Sequence, residues 1–112
     1  MYYGIQKGAI QALTIDNSWY ESTNQTYSQR REIVYHICEK LNLTYNKNST
    51  GMFVWAKIKD SKTSSIDFVN NLLYTKDIFI TPGSIFGLNG EGYVRLSLCL
   101  SYDKLKEALR KL

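Results

Sequence analysis

Arg95 is the residue whose type and setting point most directly to chemistry. It lies between Val94 and Leu96 in an alternating stretch, and it is the only arginine outside a segment of helical spacing. A guanidinium keeps its charge at any physiological pH, so burying it is costly without a planar anionic partner. Two readings follow. Arg95 occupies a solvent-facing or edge position, or pairs with a carboxylate of its own chain. Alternatively it is a two-point clamp for the carboxylate or phosphate of a ligand. Just before it, residues 83–92 hold four glycines in ten positions. Glycine loops that cradle phosphates run from a strand into a helix N-terminus. Here a strand follows instead, and no Gly-Lys-Ser/Thr occurs. The segment therefore reads as a hairpin loop needing positive φ at several glycines. It also reads as a loop lying close to a ligand, with Phe86 as an apolar wall.

The other reactive side chains form no set. His36 is the only histidine, mid-helix, with no Cys or carboxylate at metal-ligand spacing; Cys38, two residues on, falls on a different helix face. The pattern predicts no metal site. Cys38 and Cys99 have no positioned base to activate them. Lys57, Lys59 and Lys62 are interrupted by Asp60 and read as a solvated strand end. No catalytic residue is assigned.

The elements that must hold Arg95 come from one domain's worth of chain. Its 112 residues are 44% hydrophobic, with nine Tyr and four Phe, enough for one core. A net charge of +4 is mild for a nucleic-acid binder. No apolar run spans a membrane, and no secretory signal opens the chain. Two cysteines make no disulfide framework, so a reducing, cytoplasmic setting is expected. Three Asn-x-Thr sequons, at Asn24, Asn42 and Asn48, are read as chance products of an Asn- and Thr-rich chain.

Spacing predicts a helix over 4–14, with Ile5, Ala9, Ala12 and Leu13 near one face. A second helix is predicted over 25–43, capped by Asn24. Residues 52–58 read as an inner strand, apolar on both faces and covered on both for part of its length. Ser65 is expected to cap a helix over 66–75. Residues 78–80 form a short strand, and 93–100 a clear one with Val94, Leu96, Leu98 and Leu100 on one face. Tyr27, Phe68 and Tyr93 fall at core-like periodicity. Ser101 caps a last helix with Leu105, Ala108, Leu109 and Leu112 inward. A minor strand is expected near 43–45. The order α-α-β-α-β-β-α gives an α+β (α/β sandwich) fold, a small sheet with helices packed on it.

The segment Ile78-Phe-Ile-Thr-Pro-Gly-Ser-Ile-Phe-Gly-Leu-Asn-Gly-Glu-Gly-Tyr-Val-Arg-Leu-Ser-Leu-Cys99, followed by an amphipathic helix, resembles the C-terminal end of class I/II, fold-type I, pyridoxal-phosphate aminotransferases. Gly51-Met-Phe-Val-Trp55 resembles an earlier strand of the same small domain. Residues 5–13 resemble the helix linking large and small domains, and 27–33 the start of the small domain's long helix. Within that family it looks like the diaminopimelate- or aspartate-type branch. The resemblance implies a small, mainly antiparallel sheet, with 1–14 as a linker helix and 15–112 as the small domain. It implies a substrate-binding role for Arg95, on the α-carboxylate, and for Phe86 and Gly87, which line the pocket. Lys7 matches no catalytic motif. The implied Schiff-base lysine and phosphate-binding residues belong to a large domain outside this sequence, so no cofactor-binding residue is assigned. The expectation is the C-terminal part of a homodimeric enzyme that moves an amino group between an amino acid and a 2-oxo acid, inactive as this chain alone. Two rivals are a free-standing regulatory domain that binds small acids and a protein-interaction module.

Overall fold

Asp16 sets the start of the longest helix. In the computed structural model, which describes residues 1–112, its side chain accepts a hydrogen bond from the Ser18 N–H at 2.8 Å. That bond satisfies one of the free donors at a helix start. Helix α1 covers Tyr3–Leu13, and α2 runs over Asn17–Lys40. Asn24, expected as the cap, therefore lies inside α2. The opening turns of α2 bury nothing, so they lack the apolar stripe that marks a helix in sequence. At the other end α2 stops three residues early. Asn42 takes a left-handed φ of 56°, and the chain turns into strand β1, Leu43–Tyr45.

Strands β2 (Phe53–Ile58), β3 (Thr81–Pro82) and β4 (Tyr93–Ser97) complete the sheet, with helix α3 (Ser65–Lys76) before β3 and α4 (Tyr102–Lys111) last. The spatial order is β1-β2-β4-β3, and every pairing is antiparallel. Pairing of β3 begins at Thr81, later than the expected 78–80 strand. Pro82 fits there because β3 is an edge strand, where a missing N–H costs no ladder bond.

One face of the sheet makes the core. Val54, Ala56 and Ile58 of β2 alternate inward, joined by Val94 and Leu96 of β4 and by Leu98. Val34, Ile37 and Cys38 of α2, Val69 and Leu72 of α3, and Leu105 of α4 close over them. The opposite face stays open. Phe53 and Trp55 of β2 are 37% and 41% exposed. The inner strand is thus central in the sheet but covered on one side only, because all of the core-forming helical residues pack against the face of Val54, Ala56 and Ile58. Leu100 also departs from expectation at 49% exposed. Strand β4 ends at Ser97, whose hydroxyl accepts from the Cys99 N–H, and the alternation ends with it.

Two caps differ in detail. Ser64, not Ser65, caps α3, accepting from the Asp67 N–H at 3.1 Å. Ser101 occupies the cap position of α4, but its hydroxyl makes no capping bond. Helix α1 buries no residue, so Ile5, Ala9, Ala12 and Leu13 face outward. Its corner with α2 is tied by the Tyr20 hydroxyl donating to the Ala12 carbonyl at 3.2 Å. This projecting arm gives a radius of gyration of 17.2 Å, against the ~13 Å of a compact domain of this length.

Leu98 and Leu100 separate the buried from the open side. Leu98→Ala is expected to destabilise the fold by about 3 kcal/mol, and Leu100→Ala by less than about 0.5 kcal/mol. Urea unfolding checks both; equal losses would contradict the placement of the core.

Candidate functional site

The glycine-rich segment joins β3 to β4 through two short 3-10 turns, Gly83–Phe86 and Leu88–Gly90. Positive φ is needed at only two of its glycines: Gly87, between the turns, at 119°, and Gly92, before β4, at 80°. Gly83 and Gly90 serve another purpose. Their backbones touch, and a Cβ on either would run into the other's carbonyl oxygen. Positive φ, expected at several glycines, is thus found at two, and the other two allow close backbone packing at the loop's neck. The side chain of Trp55 closes over Gly83, where a Cβ would stand 3.0 Å from its ring.

This packing sets Phe86 on the open face of the sheet. Arg95 lies there too, opposite Trp55 of β2 and Thr81 of β3 in the register. Strand alternation requires it: Val94 and Leu96 point into the core, so Arg95 between them points out of it. The guanidinium carbon sits over the rings of Phe53 at 4.1 Å and Phe86 at 4.7 Å. Cation–π attraction at such a half-exposed position contributes about 0.5–2 kcal/mol. No carboxylate of the chain pairs with it, since the sole side-chain ion pair is His36 with Glu39 at 3.3 Å. None of its guanidinium N–H groups donates to another group of the chain, whereas Arg30 and Arg31 each donate to backbone carbonyls. Internal pairing, one reading of Arg95 from sequence, is therefore absent.

Trp55 continues the aromatic wall. It stacks on Tyr93 at 5.4 Å and 12° and meets Phe86 edge-on at 5.9 Å. Tyr93 is thus half-buried on the open face, not in the core as its spacing suggested. The structure brings Arg95 and Phe86 together. Gly87 is adjacent in sequence, exposed, with open space where a Cβ would point. Phe53 and Trp55 are the members that sequence reading missed. The alternation of Val54, Ala56 and Ile58 against them was visible, but their register beside Arg95 was not.

Behind this face, Glu91 closes the loop. Its Oε1 accepts from the Ser65 N–H at 2.7 Å and from the Ser65 hydroxyl at 3.0 Å. The Ser65 hydroxyl in turn accepts from the Gly92 N–H at 3.0 Å. The Ser65 N–H bond, with help from the hydroxyl, holds the Glu91 carboxyl below its ordinary value. Ser65 is fully buried and is the one polar residue in the interior.

The remaining candidates lie elsewhere. His36 is exposed and meets only Glu39. No three His, Cys, Asp or Glu side chains converge as metal ligands would. The lysine-rich loop folds around Asp60, which accepts from the Lys62 N–H and the Thr63 hydroxyl. Cys38 is buried, its thiol pushed up to about 12 by desolvation and then by the Glu39 carboxylate, while Cys99 is exposed.

Comparison with known proteins identifies relatives across nearly the whole chain. The family model "Aminotransferase class I and II" matches residues 4–112. The LL-diaminopimelate aminotransferase of Maridesulfovibrio salexigens is 36% identical over 112 residues, covering 100% of this chain and 29% of that protein. The aspartate aminotransferase of Pyrococcus abyssi is 34% identical over 110 residues, covering 96% and 28%. Among solved structures, apo-BacF from Bacillus subtilis superposes with a TM-score of 0.81 at 33% identity, covering 99% of this chain and 28% of that one. The aromatic aminotransferase of Pyrococcus horikoshii gives 0.82 at 33% identity, covering 96% and 29%. The chain thus spans less than a third of the length of the relatives it matches.

Two tests probe this geometry. In a Trp19→Phe background, Gly83→Ala is expected to shift Trp55 emission, because the loop neck must open. Gly87→Ala should leave emission unchanged and cost about 1–3 kcal/mol of backbone strain, since φ 119° with ψ 174° is a conformation suited to glycine. A thiol reagent at about pH 8 should label Cys99 in the folded chain and Cys38 only after unfolding, since the thiolate is the reacting form. Rapid labelling of both would show that the helical layer over Cys38 is open.

Proposed function

The chain belongs to the class I and II aminotransferases, and we propose that it is the C-terminal small-domain part of such an enzyme, in which Arg95 binds the α-carboxylate of the substrate. In this reading residues 1–14 are the linker helix from a large domain, and 15–112 are the small domain. The apolar side chains that α1 presents to solvent, Ile5, Ile10 and Leu13 among them, are what a helix seated against a further domain would carry. The enzyme would act in the cytoplasm as a homodimer and exchange an amino group between an amino acid and a 2-oxo acid.

One observation carries the proposal. The Arg95 guanidinium is held over two aromatic rings, with no acceptor from its own chain, on an open sheet face. A planar carboxylate meets a planar fork through two parallel N–H···O bonds. Amino acids and 2-oxo acids share that carboxylate, so one clamp suits both partners of the exchange. Phe53 and Phe86 flank the guanidinium and restrict the side chain, so less freedom is lost when the two charge-assisted bonds form. Phe86 and Gly87 then border the substrate, with Trp55 continuing the wall.

The residues present do not make a site for pyridoxal phosphate. That cofactor needs a lysine amine for its aldehyde and partners for its ring nitrogen and phosphate. The lysine on the open face, Lys57, stands over the Tyr93 ring at 5.9 Å. Lys7 lies over the Tyr3 ring on the exposed arm. Around Arg95 the side chains are aromatic. The groups that hold the cofactor therefore belong to the large domain in this reading, and the chain alone does not transaminate.

In the full-length enzyme, Arg95→Ala is expected to raise KM for both the amino acid and the 2-oxo acid by roughly a hundredfold or more, from the loss of two charge-assisted bonds. Arg95→Lys should recover part of it, and cofactor absorbance should match the parent in both variants. An unchanged KM would sink the carboxylate clamp. Turnover by the 112-residue chain alone would sink its assignment as a part.

A further inference from the structure

The one fully buried polar side chain sits at a joint between a helix and the glycine loop. Ser65 is the first residue of α3, where backbone N–H groups lack helical partners. Its N–H and its hydroxyl both donate to the same oxygen of Glu91, and the hydroxyl accepts from the Gly92 N–H. The Glu91 carboxylate also lies at the positive end of the α3 dipole, where negative charge is stabilised. Gly92 is held from a second side, its carbonyl accepting from the Ile58 N–H of β2 at 2.8 Å. The loop's C-terminal root is thus bonded to both the helical layer and the sheet.

Everything beyond that root bears on Arg95. Gly92 leads directly into β4, which carries Tyr93 under Trp55 and then Arg95. Gly90, just before Glu91, forms the neck with Gly83, from which the turn carrying Phe86 projects over the guanidinium. We propose that Ser65 and Glu91 are positioning residues: their bonds latch the glycine loop to α3 and so hold Phe86 and Arg95 in the geometry that receives a carboxylate. This deepens the functional reading above and rests on it. Neither residue touches substrate in this account, and both act through the loop.

The test combines amide exchange with kinetics in the full-length enzyme. Ser65→Ala and Glu91→Ala are expected to speed exchange across residues 83–95 about tenfold, because each removes two of the three bonds at the loop's root. Exchange in the central strand at residues 53–57 should stay at the parent rate. The same variants should raise KM for amino and 2-oxo acids by roughly tenfold or more, with kcat within about threefold, because a displaced clamp weakens binding through geometry. Glu91→Gln keeps an acceptor oxygen and should restore most of both readouts, which separates loop position from a general loss of fold. Unchanged exchange in the alanine variants would overturn the latch, whatever the kinetics. Faster exchange with an unchanged KM, while Arg95→Ala still raises KM, would overturn its positioning role. If Arg95→Ala itself leaves KM unchanged, the carboxylate clamp fails and takes the latch's purpose with it, while the exchange data still report whether the loop is held.

Discussion

The alternation of β4 constrains everything around it. Val94 and Leu96 are driven inward with Leu98 because the helices α2, α3 and α4 bury one face of the sheet. Each side chain between them must then point the other way. That places a permanent cation, Arg95, on the face that no α-helix of the chain covers. The cost of that charge is moderated by rings, not by a carboxylate: Phe53 comes from the neighbouring strand and Phe86 from the loop. A hydrophobic core on one side thus produces an unpaired, oriented guanidinium on the other.

The loop beside it shows how backbone, more than side chains, shapes such a site. Gly83 and Gly90 are small because two backbone segments meet there, and Gly87 and Gly92 because the chain turns through left-handed φ. The two requirements differ in kind. One concerns space, the other torsion, and a methyl group violates each for its own reason. Between them they leave Phe86 against Trp55 and Arg95, and the aromatic contacts Trp55 makes with Phe86 and Tyr93 tie the loop to the first residue of β4.

Family membership and physical form agree on the scale of this unit. A 112-residue chain that matches its relatives over less than a third of their length carries a closed core, an open aromatic face and an arm whose apolar side chains have no cover. In the proposed reading the open face and the arm are both surfaces shaped to meet the rest of an enzyme. The clamp is then the part of the active site that a small domain contributes, and the chemistry belongs to groups it faces.

By itself the sequence determined the α+β layering, the strand carrying Arg95, the Phe86 loop and the family resemblance. These rest on local signals: period-two alternation in 93–98, amphipathic spacing in α4, and a glycine pattern that only a tight loop explains. Where no burial accompanies the element, the signal vanishes, so spacing starts α2 only after Asn24, although the helix begins at Asn17. Tertiary structure alone decided which face of β2 was covered, because Phe53 and Trp55 are as apolar as the residues between them. It alone set the register that puts Trp55 opposite Arg95. It also gave the capping role to Ser64 and paired Ser65 with Glu91, twenty-six residues away. Such contacts join distant segments, and no local periodicity encodes which of several chemically equivalent partners will meet.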